Sequence, residues 1–195
     1  IDKPADAKLA FWREHVLIEL RSDWTVGDQT WPRGALLVAK ADAYLKGERR
    51  FTALFTPTAT RSLAICFATR SKLLVDVLDN VASRIEEWTP GRASGESSWT
   101  RREMQAPYPG SLSITPLHDP LLKDDPLAEA YFLNVADFLQ PDTLQFGITG
   151  GTAEDARREV LKSRPAFFDA TGMRAEQRFA TSQDGTRVPY FVIWP

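Results

Sequence analysis

The brevity of its apolar runs is what most constrains this chain. Short apolar or alternating segments recur along it, and Gly, Pro, Asp or Asn separate them. They fall at residues 15–20, 23–26, 35–39, 51–55, 62–69, 72–78, 83–88, 98–104, 111–115, 129–135 and 143–148. Runs of four to eight residues bounded by turn formers are strand signals, because a pleated chain needs only that length to cross a core. A helical period is rarely sustained. Residues 41–47 fit one short helical turn, and residues 153–161, with Thr152 as N-cap, fit another. Residues 127–139 fit either class, and Tyr131, Phe132 and Val135 favour strand.

Many short strands with regular turns point to a sandwich, a barrel or a propeller. A propeller blade is a four-stranded antiparallel sheet recurring about every 40–50 residues. At that period the 195 residues hold about three to four blades. The first would run to Pro57, the second from Thr58 to Pro107 and the third from Tyr108 to Gly151, with a less regular remainder. The expected fold is therefore all-β, a partial β-propeller.

Charge and composition exclude several functions. Lys and Arg number 24 against 26 Asp and Glu, both signs interspersed, so no basic stripe exists for nucleic acid. No run approaches the roughly 18 apolar residues of a membrane span. The chain opens on Ile1 without a leader pattern, which leaves its compartment unread. Cys66, the single cysteine, lies in an apolar run and reads as a small buried hydrophobe. The six tryptophans are spread out, as for core and inter-blade packing.

Catalytic signals are missing. A serine hydrolase of the α/β type carries its nucleophile on a Gly-x-Ser-x-Gly turn, and none occurs. Of the two histidines, His15 opens an apolar strand, and His118 lies in a polar loop where adjacent Asp119 is poorly placed to orient it. One Cys and two distant His give no zinc spacing. Asp119, Asp124 and Asp125 read as a solvated cluster rather than a cation site, and residues 147–151 as a mobile turn rather than a phosphate cradle. No cofactor is expected.

The most informative stretch is residues 176–195. Asp184-Gly185 signals a two-residue type I′ hairpin turn, and residues 188–194 read as a strand buried on both faces. Pro189, lacking an amide hydrogen, belongs on an edge or at a strand start. This stretch resembles the junction at which the propeller of prolyl oligopeptidases returns to the catalytic domain. The family pattern is Glu-Gln, then Ala-Thr-Ser, a variable residue, Asp-Gly-Thr and a Pro-Tyr-Phe strand. Here it is matched by Glu176, Gln177, Ala180, Thr181, Ser182, Asp184, Gly185, Thr186, Pro189, Tyr190 and Phe191. Residues 161–169, 20–24, 34–37, 78–84 and 137–141 also resemble family segments.

The resemblance implies a parent serine peptidase that cleaves short peptides after proline. Its propeller would cap an α/β-hydrolase domain and limit access. It implies residues 1–175 as propeller and 176–195 as junction hairpin, with the triad beyond Pro195 and no catalytic or metal-binding residue in this chain. The expected partners are that catalytic domain, short proline-containing peptides, and a second copy of the chain through the terminal strand. Two alternatives remain open at this point: an independent propeller or sandwich module binding a peptide or glycan, and a stand-alone hydrolase using His118.

Overall fold

The computed structural model of the chain describes residues 2–91, 98–104, 110–151 and 158–195. The first sheet takes β1 (Lys8–Trp12), β2 (His15–Glu19), β5 (Leu36–Lys40) and β6 (Thr52–Phe55) in that order. A small hairpin, β3 (Trp24–Val26) with β4 (Gln29–Trp31), leaves it between β2 and β5, and helix α1 (Ala41–Leu45) follows β5. The second sheet is β7 (Arg61–Ala68), β8 (Leu73–Asp79), β9 (Ala82–Pro90) and β10 (Trp99–Glu103), each beside the next. The third repeats that meander with β11 (Ser111–Pro116), β12 (Ala130–Ala136), β13 (Thr143–Ile148) and β14 (Glu159–Ser163). A two-stranded hairpin, β15 (Arg174–Thr181) with β16 (Arg187–Trp194), ends the chain. The all-β, four-stranded antiparallel blade architecture expected from the sequence is present.

Alternation along β8 explains how the blades stack. Successive strand residues point to opposite faces. Leu73, Val75 and Val77 face the first sheet, in one cluster with Trp12, Leu17, Leu36, Val38 and Leu54. Leu74 points the other way and joins Ile85 and Met104 against Leu112, Ile114, Tyr131, Leu133 and Val135 of the third sheet. The second blade is thus covered on both faces. Each buried Leu or Val contributes about 1.5–3 kcal/mol to that stacking. The other face of the first blade, with Val16, Ile18 and Leu37, is roofed by Tyr44 of α1 and by Trp24, Trp31 and Phe51.

Three expectations change. Residues 159–161 of the helix expected over 153–161 belong instead to strand β14, and residues 153–157 of that helix, with the N-cap Thr152, lie outside the described ones. Pairing with β13 outweighs the weak helical pattern: Leu144 meets Lys162, and Phe146 meets Glu159. The loop at Asp184-Gly185 is not a type I′ turn, since only Gly185 (φ +84°) is left-handed there. Gly185 N–H donates to Ser182 O and Ser182 N–H to Thr186 O, both at 2.9 Å, the pattern of a three-residue loop closed by a glycine bulge. The type I′ geometry occurs instead between β8 and β9, where Asn80 (φ +48°) and Val81 (φ +68°) link paired Asp79 and Ala82. Finally, β16 is not buried on both faces. Val188 and Tyr190 stay more than two-fifths exposed, because β15 covers one edge and no second sheet covers its faces among the described residues.

Candidate functional site at the hairpin end of the blades

The hairpin is built locally. Asp184 Oδ1 takes the Ser182 hydroxyl and, at 2.9 Å, the Thr186 amide, and these bonds hold its carboxyl down at about 2. Pro189 stands opposite Phe179, Tyr190 opposite Arg178 and Phe191 opposite Gln177. Glu176 gathers Arg178 (2.9 Å), Trp194 Nε1 (3.2 Å) and Arg174 (3.3 Å), and the Arg178 and Trp194 hydrogen bonds lead in lowering its pKa.

Among the described residues, a hydrogen bond and a ring contact seat this hairpin on the blades. Gln177 Nε2 donates to the Asn80 carbonyl at 2.5 Å, on the β8–β9 turn. The Phe191 ring lies 4.9 Å from that of Phe138, on the β12–β13 loop. Asp137 shapes that loop by accepting the amides of Leu139 (2.7 Å) and Gln140 (2.6 Å). Between these seats opens a cavity of about 330 Å³. Leu78, Val81 and Ser83 of the second blade line it, with Ser111 and Phe138 of the third and Phe191 of the hairpin. Its lining is mainly apolar, with Ser83, Ser111 and Asp137 as the polar residues, a surface suited to an apolar side chain or a packed partner. A second hollow of about 210 Å³ lies beside Arg164, Phe167 and Phe168.

At the opposite end the same two blades are closed by polar groups that the sequence did not reveal. Glu129 Oε2 accepts the hydroxyls of Thr69 and Thr149, each at 2.8 Å. Glu87 Oε2 accepts from the Gly150 amide and from Arg102, each at 3.0 Å, and Arg102 also donates to Gly151 O. Arg70 N–H donates to Ala128 O at 2.8 Å. The turn expected to be mobile is therefore pinned, with Thr149 buried. Arg61 and Arg101 meet buried Glu86 at 2.8 and 3.2 Å. No motif marks these carboxylates, because each finds its partner on another strand.

The remaining candidates take structural places. His118 Nδ1 lies 2.9 Å from Asp125 Oδ2, not beside Asp119, and Asp125 also accepts the amides of Asp119 and Leu127. The His118 bond leads in lowering the Asp125 pKa. Asp125 is thus a buried loop clasp rather than part of a solvated cluster. Among the described residues the hydrogen-bond partner of the His118 ring is Asp125 and no serine. The ring of His15 lies 6.0 Å from Trp12 and 5.1 Å from Trp99, and burial lowers its pKa. Burial pushes the Cys66 thiol up to about 12, which keeps it protonated and poorly nucleophilic.

No family model matches the chain. An uncharacterized peptidase of Sinorhizobium fredii is 31% identical over 186 residues, covering 94% of this chain and 24% of that protein. An uncharacterized peptidase of Rickettsia prowazekii is 25% identical over 199 residues, covering all of this chain and 25% of that protein. The chain thus spans about a quarter of the relatives it matches. Among solved structures, a post-proline cleaving enzyme from Rickettsia typhi superposes with a TM-score of 0.75 at 22% identity, over all of this chain and 26% of that one. Prolyl oligopeptidase B from Galerina marginata gives 0.64 at 14% identity, over 99% of this chain and 24% of that one. In fold the chain matches the segments it covers in these post-proline cleaving and prolyl oligopeptidase structures, and in sequence it resembles a quarter-length segment of uncharacterized peptidases.

Proposed function

We propose that the chain is the non-catalytic propeller part of a prolyl oligopeptidase-like serine peptidase and controls the access of short peptides to the active site, where cleavage follows proline. The hairpin carries this reading. It has the junction pattern in sequence, it sits at one end of the blades, and it offers half-exposed Val188, Tyr190 and Ile193 for a further sheet to cover. In this account residues 1–175 form the blades and residues 176–195 lead into the catalytic domain. Ser182, Asp184, Gly185 and Thr186 set the turn, and Pro189, Tyr190 and Phe191 supply the strand on which that domain builds. The relatives' length supports a partner domain on the same polypeptide.

The test compares two substrates of the complete polypeptide. One is a short unstructured peptide with an internal proline. The other is the same sequence displayed on a loop of a folded protein. Cleavage of the first alone, after proline, is expected. Equal cleavage of both would overturn access control, and cleavage unrelated to proline would overturn the peptidase assignment.

A further inference from the structure

The interface between the second and third blades is a wedge. One end is stitched by the buried carboxylate of Glu87 and the half-buried carboxylate of Glu129. The other end holds the cavity of about 330 Å³. Across that open end, among the described residues, the hairpin attaches to two different blades: Gln177 to Asn80 of the second, and Phe191 to Phe138 of the third. The two attaching residues stand opposite each other in the hairpin register, Gln177 on β15 and Phe191 on β16. A displacement of the hairpin is therefore felt by both blades at once.

We infer that the β15–β16 hairpin is a clip that straddles the second and third blades and sets their separation at the cavity end, while the carboxylate staples act as the fixed hinge at the other end. The mechanical logic is simple. Polar contacts that are buried and charge-assisted resist opening. One hydrogen bond and one ring contact resist it far less. Opening therefore concentrates where the hairpin grips, and whatever moves the hairpin moves the gap. The inference concerns coupling within this chain and stands whether or not the parent is a peptidase.

Hydrogen exchange of the 195-residue chain tests it, with Gln177→Ala and Phe191→Ala made separately. Each variant is expected to speed exchange by about fivefold to tenfold on the blade it does not touch. Gln177→Ala should loosen residues 136–138, and Phe191→Ala should loosen the turn at Asn80, while amides at Thr69 and Thr149 keep the parent rates. Phe191→Leu, which keeps an apolar contact, should give the same pattern at smaller amplitude and serves if the alanine variant fails to fold. Loosening confined to the blade each residue touches would overturn the clip, as would equal loosening at both ends.

Discussion

Among the described residues, Val81 (φ +68°) is the β-branched one held in the left-handed region. A β-branched side chain in the left-handed region crowds its own carbonyl, at a cost of about 1–2 kcal/mol. Here it is 60% exposed and recovers little by burial. Glycine at the second position of a type I′ turn carries no such strain. Val81→Gly should therefore raise stability by about 1 kcal/mol, read from urea unfolding, and a loss of stability would show that Val81 packs on something. Asp76 is costly through its side chain rather than its backbone. It lies on β8, Oδ1 has no hydrogen-bond partner, and burial raises its pKa to about 6. A carboxyl raised above its ordinary 3.8 favours folding while it holds its proton. Stability should fall as pH climbs from about 4 through about 6 and then level off. Asp76→Asn should be the more stable chain at pH 7, with the difference closing as pH falls toward about 4. A difference that does not change with pH would contradict this.

At the scale of elements, legibility followed burial. Residues 143–148 were readable in the sequence because an apolar run ends sharply at glycines, and the strand keeps those bounds. Short α1 was readable from its local period. By contrast β14 is fully exposed, so no apolar stripe announces it, and only its ladder with β13 makes it a strand. The junction hairpin was legible as a hairpin, but its turn type was not. Ser182 and Thr186 take up hydrogen bonds that widen the loop by one residue, an outcome a dipeptide rule does not carry. The blade staples were illegible for a different reason: Glu87 and Gly150 are 63 positions apart. Their energetic weight is nonetheless testable. Glu87→Ala removes the acceptor of the Gly150 amide and one of the two acceptors of Arg102, whose side chain is partly exposed, and should cost about 1–3 kcal/mol, the usual result of leaving a buried donor unsatisfied. A loss below about 1 kcal/mol would mean that water replaces the carboxylate.

At the scale of the whole molecule, stacking is the governing rule. The first blade is roofed on its outer face. The third carries the ring pair Phe132 and Phe146 (6.3 Å) and leaves Ile148, Val160 and Leu161 more than two-fifths exposed. Together with the apolar residues of β16, these surfaces predict concentration-dependent self-association of the isolated chain. Sedimentation that stays strictly monomeric at high concentration would contradict it. The central claim is that the chain supplies propeller and another part of its polypeptide supplies chemistry. Hydrolysis of a short chromogenic peptide with proline before the scissile bond tests this most directly, run side by side on the 195-residue chain and on the complete polypeptide. The account predicts turnover by the complete polypeptide and none by the chain. Turnover by the chain alone, or none by either, would contradict it.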